Sequence, residues 1–460
     1  MCGIFGIYAH PKAAEISHLG LYSLQHRGQE SAGIVALDSV TGARASKTMG
    51  LVSEGFNAID VAKLSGDIAI GHTRYSTTGS ATIENAQPVL ARVRDGDVAL
   101  AHNGNLTNAT ELKRELVDSG AIFTSTMDSE VLVHRIARSS AAKPEERLGD
   151  ALNGVEGAYS LVVIIGQTLL AARDPRGWRP LVMGQLGDSL VFASETCALD
   201  IIGATAIREV ERGEIVAVDR AGMRSSFPLP PHESRQCVFE YVYFARPDSR
   251  VFGGSVDRAR RVLGRRLARE CPAPGAELVF SVPDSSNSAA LGYAEESKLP
   301  FELALIRNHY VGRTFIQPTQ AGRDAKVKVK YNAVREVLDG KSVVMVDDSI
   351  VRGTTTRGLV AMIRAAGARE VHMRVSSPPI TGPCYYGIDT PNREELIAAN
   401  LEIDEITRVL GVDTLGYLSL DGMLESVPGG PDGFCHACFS GDYPTAPPTD
   451  PQKLRFGYGG

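Results

Sequence analysis

The sequence predicts two domains in tandem, an α+β layered domain followed by an α/β domain with a parallel sheet. The chain has 460 residues, which is enough for two hydrophobic cores of ordinary size. A proline-rich stretch at residues 227–232 interrupts any strand or helix, because proline lacks a backbone donor and fixes φ. The residue pattern differs on the two sides of that stretch, so we expect the domain boundary there.

The first predicted domain comprises residues 2–228. It contains short runs of Val, Ile and Ala separated by Gly, Asp and Asn, which is typical of many short strands. Helical periodicity is present at residues 13–25 and 127–141. This mixture predicts sheets layered with helices.

The second predicted domain comprises residues 233–443, where strand and helix patterns alternate. Such alternation predicts a parallel sheet with crossover helices. The predicted elements are strands at residues 276–282, 341–346 and 370–376, and a helix at residues 356–366. Residues 444–460 are rich in Pro and Gly and are predicted to be a loosely ordered tail.

The composition is that of an ordinary soluble protein, with 43% hydrophobic residues, 22% charged residues and a net charge of -6. This balance argues against nucleic acid as a partner. The apolar stretch at residues 158–172 is interrupted at residues 166–168, so it is not expected to cross a membrane. The start of the chain lacks a basic segment ahead of an apolar run, so no secretory signal and a cytoplasmic location are expected.

Cys2 is the first candidate catalytic residue. Removal of Met1 would place a thiol and a free amine in one residue, which supplies a nucleophile together with its base. Taken alone, Cys2 is more simply explained as a small residue that happens to follow Met1 and has no catalytic role. The surrounding motifs favour catalysis, because they could provide a cation, an anion and an oxyanion stabiliser around the thiol.

Those motifs lie at residues 71–75, 101–105 and 126–128. Arg74 could pair with a carboxylate and Asp128 with an ammonium group. Asn103, through its side-chain amide, and Gly104, through its backbone N–H, could form an oxyanion hole. The alternatives are a surface cation for Arg74, a hairpin turn for the Asn-Gly pair, and a helix N-cap for Asp128.

Together these segments resemble the N-terminal-nucleophile glutaminase domain, which has an αββα fold. The resemblance covers the whole first half of the chain and implies that Arg27 also belongs to the glutamine pocket. It leaves the acceptor of the ammonia open, because similar glutaminases precede several synthetase domains. The matching segments are MCGIFGI at residues 1–7, QHRGQ at residues 25–29, HTRY at residues 72–75, HNG at residues 102–104 and MD at residues 127–128.

A second candidate site lies at residues 343–356, where a buried apolar strand ends in two acids and opens into a Gly/Thr loop at a helix start. Backbone N–H groups of such a loop can hold a phosphate, and Asp347 and Asp348 suit a ribose diol with a nearby Mg²⁺. The alternative is a pair of acids that caps a helix in a nucleotide-free Rossmann-like unit.

A basic loop at residues 312–330 could close over a pyrophosphate leaving group, although charge alone is equally compatible with a solvated loop. The acid-bearing strand and loop resemble the phosphoribosyl pyrophosphate signature of phosphoribosyltransferases. With the segment VPDSS at residues 282–286, residues 237–443 are similar to the amidophosphoribosyltransferase family. In that family the basic loop closes over the substrate and helps to form an ammonia channel.

The resemblance implies that ammonia from glutamine reaches C1 of phosphoribosyl pyrophosphate, giving phosphoribosylamine, pyrophosphate and glutamate in the first committed step of purine synthesis. It also implies a homotetramer inhibited by purine nucleotides. It places an Mg²⁺ contact at Ser285 beside Asp347 and Asp348, with Asp284 and Ser286 as chemical alternatives. The implied phosphoribosyl pyrophosphate residues are Asp347, Asp348, Ser349, Arg352, Gly353, Thr354, Thr355, Lys326 and Lys328.

The seven cysteines are odd in number and sparsely spread, so metal binding or catalysis explains them better than disulfides. Four thiolates fit a 4Fe-4S cluster or a zinc ion, although isolated buried thiols remain an alternative. Resemblance to cluster-bearing members implies a structural 4Fe-4S cluster, with Cys197 and Cys271 as buried cysteines outside it. The implied ligands are Cys237, Cys384, Cys435 and Cys438.

Two other functions are possible on the residues alone. A regulatory protein that senses phosphoribosyl pyrophosphate would need a DNA-binding element, and neither a basic helix nor a positive net charge is present. An iron-sulfur protein of electron transfer would leave both substrate motifs without a role. The sequence therefore favours the enzyme, a phosphoribosyltransferase that uses glutamine as its nitrogen source.

Overall fold

The computed structural model describes residues 1–75, 80–94, 96–309 and 329–448, without the side chains of residues 58 and 59. Lys326 and Lys328, with most of the predicted basic loop, lie outside the described residues. Within the described ranges, no helix is both long enough and apolar enough to cross a membrane.

The first domain contains two antiparallel sheets. One has seven strands in the order β11-β9-β10-β1-β4-β2-β3, and the other has six in the order β13-β12-β8-β7-β6-β5. The strands are β1 Gly3–Tyr8, β2 Ser31–Asp38, β3 Gly42–Met49, β4 Ile68–Arg74, β5 Val89–Val93, β6 Gly96–Leu106, β7 Gly157–Ile165, β8 Thr168–Arg173, β9 Val182–Leu186, β10 Ser189–Ala193, β11 Thr205–Glu209, β12 Ile215–Asp219 and β13 Gly222–Ser226.

Helices cover the outer faces of the two sheets. Apolar side chains such as Ile4, Ile70 and Val162 fill the space between the sheets, and separate apolar clusters lie under the helices on each side. The result is the predicted αββα order of layers. The helices are α1 Ala13–Ser23, α2 Val52–Gly55, α3 Ala58–Ala62, α4 Ala109–Asp118, α5 Ser129–Arg138, α6 Pro144–Leu152 and α7 Cys197–Asp200, with short 3₁₀ turns at Gln25–Arg27 and Ile83–Asn85.

The second domain is built on a four-stranded sheet in the order β17-β20-β21-β22, and every pairing in it is parallel. Smaller antiparallel or parallel pairs flank the sheet. The strands are β14 Gln236–Cys237, β15 Arg250–Val251, β16 Gly254–Ser255, β17 Leu278–Ser281, β18 Leu305–Arg307, β19 Tyr331–Ala333, β20 Ser342–Asp347, β21 Glu370–Val375, β22 Thr414–Tyr417 and β23 Phe434–Cys435.

Apolar clusters lie on both faces of this sheet, because its strands alternate Val344 and Val346 toward one face with Val343 and Met345 toward the other. The helices are α8 Val256–Glu270, α9 Asn287–Ser297, α10 Arg335–Leu338, α11 Thr354–Ala365, α12 Ile397–Asn400, α13 Ile403–Leu410, α14 Leu420–Ser426 and α15 Ala437–Ser440, with a π-helix at Glu240–Phe244 and a 3₁₀ turn at Arg393–Glu395. This is the predicted α/β arrangement.

Candidate active sites

Cys2 lies directly before β1, a central strand of the seven-stranded sheet, and its side chain is buried. Its Sγ is 3.6 Å from the carbonyl oxygen of Tyr75, and its backbone N–H donates to Asn103 Oδ1 at 3.2 Å. Burial lowers the pKa of the Met1 amine to about 6. Burial therefore favours the neutral form of an amine at this position near neutral pH, and the neutral form is the one that can accept a proton.

Asn103 and Gly104 lie in the middle of β6, opposite Ser160 and Tyr159 of β7. The hairpin-turn alternative is therefore wrong for this pair. Asn103 is fully buried, and its Nδ2 has no hydrogen-bond partner among the described residues. An unpaired buried amide is costly, so it indicates a ligand that accepts from it beside the Cys2 backbone.

Gly104 has φ +152, and a Cβ at this position would lie 2.0 Å from the carbonyl oxygen of Ala158. Only glycine fits there. The absence of a side chain allows the Ala158 carbonyl to approach this backbone closely.

Arg74 is the last residue of β4 and is nearly fully buried. Its guanidinium donates to the carbonyl oxygen of Ser80 at 3.0 Å and lies 3.9 Å from Glu30 Oε2. The surface-cation alternative is wrong for Arg74, because the side chain is 3% exposed. Arg74 directly precedes Tyr75, whose carbonyl oxygen contacts the Cys2 thiol. A buried guanidinium at this position can bind a carboxylate.

Asp128 occupies the N-cap position of α5, as the alternative expected, but its side chain makes no capping hydrogen bond to that helix. Its Oδ2 accepts instead from the backbone N–H of Leu106 at 2.9 Å, and its Oδ1 accepts from Ser129 Oγ at 3.1 Å. Burial raises its pKa, but His102 and these hydrogen bonds lower it more, so the pKa lies below the usual value. Asp128 is therefore a fixed buried anion.

His72 and His102 hold these strands in place. His72 Nε2 is 3.0 Å from the carbonyl oxygen of His102, and His102 Nδ1 is 3.0 Å from Ser129 Oγ. Burial lowers the pKa of His72 to about 3, so this ring is neutral. The two rings tie β4, β6 and α5 together behind Cys2.

Arg27 lies in a 3₁₀ turn and is fully buried. Its Nε donates to the carbonyl oxygen of Cys2 at 3.0 Å, and its guanidinium pairs with Glu195 and, at 2.8 Å, with Glu240. Burial opposes its charge, but the two carboxylates raise its pKa. Sequence reasoning missed both acids, because they are 168 and 213 residues away along the chain.

Asp347 and Asp348 lie at the carboxyl end of β20. Ser285 Oγ donates to Asp348 Oδ2 at 2.5 Å, and Ser286 Oγ donates to Asp347 Oδ1 at 3.0 Å. Ser349 Oγ donates to Asp348 Oδ1 at 2.7 Å. Burial raises the pKa of both acids, and the charge of Asp348 raises that of Asp347 further. A divalent cation at this position would relieve the repulsion.

Asp284 follows a cis peptide bond after Pro283. Its carboxylate accepts from the guanidinium of Arg307 at 2.7 Å. Of the three residues considered for a cation contact, the structure brings the two serine hydroxyls, and not Asp284, into hydrogen bonds with the acid pair.

The loop after the acids ends at Gly353, which has φ +73 and precedes α11. The first turn of α11 receives no side-chain cap, and Thr354 and Thr355 are exposed. The backbone N–H groups of this turn can therefore bind an anion. Arg352 is exposed and donates to Glu395 at 2.8 Å.

Tyr243, in the π-helix of the second domain, lies near both sites. Desolvation of its hydroxyl, together with the charges of Asp348 and Tyr75, raises the pKa of Tyr243 to about 12, although the residue as a whole is 46% exposed. Tyr75 also accepts from the Cys2 thiol through its carbonyl oxygen. Tyr243 is therefore within electrostatic range of Asp348 in the second site and of Tyr75, which contacts Cys2 in the first.

The four predicted ligand cysteines line one buried cavity together with Trp178 and Arg179. Burial raises the pKa of Cys237 to about 11 and raises those of Cys435 and Cys438 as well. Among the described residues, no three His, Cys, Asp or Glu side chains are arranged as a metal site. The cavity, however, brings together four cysteine thiols, and a cationic metal centre would stabilise them as thiolates. The four thiols therefore fit the ligand set of a metal centre.

Backbone geometry supports that fit. Cys237 and Cys435 are register partners in the parallel pair β14–β23. The backbone N–H of Tyr386 donates to Cys384 Sγ at 3.4 Å. Cys197 and Cys271 do not line the cavity; the Cys197 thiol lies 3.8 Å from Glu195, and the Cys271 thiol donates to a backbone carbonyl.

Comparison with known proteins gives consistent similarity over both domains. Residues 72–200 match the glutamine amidotransferase domain family. The chain is 50% identical over 450 residues to amidophosphoribosyltransferase of Bacillus subtilis, covering 96% of this chain and 94% of that one. It is also 50% identical over 457 residues to the chloroplastic amidophosphoribosyltransferase 1 of Arabidopsis thaliana, covering 99% of this chain and 80% of that one.

Solved structures agree. The glutamine phosphoribosylpyrophosphate amidotransferase from B. subtilis, complexed with ADP and GMP, superposes with a TM-score of 0.91 at 49% identity, covering 97% of this chain and 98% of that one. A structure described as the allosteric regulatory enzyme of purine biosynthesis superposes with a TM-score of 0.93 at 49% identity, covering 98% of both chains.

Proposed function

The chain belongs to the amidophosphoribosyltransferase family and catalyses the first step of purine biosynthesis, and from this premise we propose a role for each residue of the two sites. The observation that carries the proposal is the side-chain amide of Asn103: its Oδ1 accepts from the backbone N–H of Cys2, and its Nδ2 has no hydrogen-bond partner among the described residues.

In the first half-reaction, the thiol of Cys2 attacks the side-chain amide carbon of glutamine. The free amine of Cys2, after removal of Met1, accepts the thiol proton and returns it to the departing ammonia. Asn103 Nδ2 and the Gly104 N–H donate to the oxyanion, and water then releases glutamate from the thioester. Asn103 Oδ1, which already accepts from the Cys2 nitrogen, orients the amine.

Three residues bind or position the glutamine. Arg74 pairs with its α-carboxylate and Asp128 with its α-ammonium group. The hydrogen bonds that fix Asp128 keep it ionised, as this role requires. Arg27 belongs to the same pocket, and its hydrogen bond to the Cys2 carbonyl oxygen supports a role in holding the nucleophile.

In the second half-reaction, ammonia attacks C1 of phosphoribosyl pyrophosphate and pyrophosphate leaves. Asp347 and Asp348 bind the ribose hydroxyls, and with Ser285 they hold Mg²⁺, which supplies positive charge for the leaving pyrophosphate. The α11 turn binds the 5′-phosphate through Gly353, Thr354 and Thr355, supported by Ser349 and Arg352. Lys326 and Lys328, outside the described residues, complete the predicted site.

Cys237, Cys384, Cys435 and Cys438 hold a structural 4Fe-4S cluster in this proposal. Their shared buried cavity and the N–H to sulfur contact at Cys384 support it. We further propose inhibition by purine nucleotides, which the ADP and GMP bound to the B. subtilis relative support. A homotetramer is proposed from the family resemblance alone.

The coupled reaction is tested by mixing glutamine, Mg²⁺ and phosphoribosyl pyrophosphate and measuring glutamate and pyrophosphate together. We expect equal molar release of the two products, because ammonia made at one site is consumed at the other. Glutamate release that continues at full rate without phosphoribosyl pyrophosphate would contradict coupling. Binding of phosphoribosyl pyrophosphate without turnover would favour the alternative, a sensing regulatory protein.

A further inference from the structure

A short loop of the second domain lies against the oxyanion strand of the first. Asn105, which follows Gly104 in β6, donates from Nδ2 to the carbonyl oxygen of Tyr385 at 3.0 Å. Gly387 has φ +107, and a Cβ there would lie 2.9 Å from the carbonyl carbon of Gly104 and 3.0 Å from its Cα and oxygen. The two glycine backbones are therefore in direct contact.

The other side of Gly104 is held by its own domain. A Cβ at Gly104 would lie 2.0 Å from the Ala158 carbonyl oxygen and 2.8 Å from His102 Nε2. His102 Nε2 is itself 3.1 Å from that same carbonyl oxygen. The Gly104 peptide is thus confined between β7 of the first domain and Gly387 of the second.

The loop is itself anchored by buried contacts. Arg179, which is fully buried, donates to the Tyr386 carbonyl oxygen from Nε at 3.0 Å and from Nη2 at 2.5 Å. The Tyr386 ring meets Trp178 edge to face with centroids 3.7 Å apart. Its N–H donates to Cys384 Sγ. The carbonyl of Tyr385 and the backbone of Gly387 are therefore presented to β6 by a constrained segment.

We propose that residues 385–387 act as a clamp that positions the Gly104 peptide for oxyanion stabilisation, which makes Asn105 and Gly387 positioning residues for glutamine hydrolysis. The inference rests on the proposed role of Gly104. Oxyanion donors act only when they lie at hydrogen-bond distance from the oxygen of the tetrahedral intermediate, so a small displacement of this peptide has a large effect on rate. The second domain thereby supplies part of the geometry of the first site.

The test uses full-length Asn105→Ala and Gly387→Ala variants, with Asn108→Ala as a matched control. Asn108 Nδ2 also donates to a backbone carbonyl, that of Gly154 at 2.9 Å, but within its own domain. One measurement is binding of glutamate γ-semialdehyde, in which the Cys2 thiol adds to the aldehyde carbon and forms a tetrahedral adduct. It is compared with binding of glutamate, which forms no such adduct. Steady-state rates are measured with glutamine and with free ammonia.

We expect both clamp variants to bind the aldehyde about 10- to 100-fold more weakly and to lose a similar factor in kcat with glutamine. Glutamate affinity and the ammonia-dependent rate should change by less than about twofold, since the substrate pocket and the second site are retained. The Asn108→Ala control should match the unmodified protein in all four measurements.

An equal weakening of aldehyde and glutamate binding, or a parallel loss of the ammonia-dependent rate, would overturn the clamp. If Gly387→Ala does not fold, Asn105→Ala decides alone, because its side chain is removed without a steric clash. Unchanged aldehyde binding in Asn105→Ala would also reject the inference. Failure of the proposed function itself is distinguishable, because Cys2→Ser would then retain glutamine use.

Discussion

In the first domain the buried anion Asp128 is held by His102 and by hydrogen bonds that lower its pKa, whereas in the second domain burial raises the pKa values of Asp347 and Asp348 in spite of their hydroxyl donors and the nearby charges of Lys330 and Arg260. The carboxylate of the first site is therefore stabilised by the protein itself. The second site is electrostatically incomplete until cations and substrate bind.

The largest expected effect is the loss of glutamine use without loss of ammonia use, which would show that the two sites act separately. Cys2→Ser should reduce glutamine-dependent synthesis by about 10³-fold or more, because a hydroxyl is a much weaker nucleophile than a thiol with a neighbouring amine. Synthesis with free ammonia should remain within about twofold of the unmodified protein. Pyrophosphate release with each nitrogen source measures both; equal loss with glutamine and ammonia would contradict separate sites.

Asp348→Asn should act on the second site and therefore on both nitrogen sources. We expect about a 100-fold loss of activity with glutamine and with ammonia alike, because a ligand for ribose and cation is lost. Pyrophosphate release again provides the measurement. A loss confined to glutamine would show that Asp348 acts on the first site instead.

The Asp348→Asn variant also tests how the acids of the two sites differ in their effect on stability as pH changes. Because the pKa values of Asp347 and Asp348 are raised above 3.8 in the folded protein, the unfolded chain releases these protons first as pH rises. The free energy of unfolding should therefore fall as pH rises from about 3.8 toward the folded pKa values. Asp128 affects the free energy of unfolding in the opposite direction. Its stabilising contribution is present above about pH 3.8 and is lost as pH falls through its lowered pKa.

Thermal unfolding of the ligand-free protein across this pH range distinguishes the two signs. Asp348→Asn should flatten the decline of Tm with rising pH, and Asp128→Asn should flatten the decline of Tm at acidic pH. If both substitutions changed the dependence of Tm on pH in the same direction, the opposite signs expected for Asp348 and Asp128 would be wrong.

The smallest expected effect concerns the serine hydroxyls. Ser285→Ala should raise the Mg²⁺ concentration needed for half-maximal activity by about three- to tenfold, because it removes the closest hydroxyl from Asp348. Asp284→Ala is the matched control at the neighbouring position; its exposed pair with Arg307 contributes little, so the Mg²⁺ requirement should stay within about twofold. A Mg²⁺ titration of the ammonia-dependent rate measures both, and a larger shift in Asp284→Ala would reverse the assignment.

Much of the fold was predictable because strong local patterns determine it. The predicted strand at residues 341–346 is β20 at Ser342–Asp347, and the predicted helix at residues 356–366 is α11 at Thr354–Ala365. The predicted helix at residues 127–141 is shorter, at Ser129–Arg138, because the chain becomes extended at Ser139 and Pro144 begins another helix. Apolar periodicity locates elements well and their ends less well.

The candidate sites were predictable only where one segment carries the chemistry. The acid pair and its loop are contiguous, so their proximity needed no tertiary information. The network around Arg27 joins Glu195 and Glu240 from distant segments, and no local pattern indicates that pairing. The contact between Gly104 and Gly387 is of the same kind, since it depends on how two domains meet.

The parallel pairing of β14 with β23 has a consequence for biosynthesis. Cys237 lies near the middle of the chain, while its register partner Cys435 and the adjacent Cys438 lie near the end. A ribosome-bound chain that has completed only its first domain therefore contains none of these four cysteines, and Cys435 and Cys438 are the last of them to be made. Assembly of the four cysteines can occur only after Cys438 has emerged from the ribosome, so a completed cysteine site marks a chain that has been synthesised at least that far.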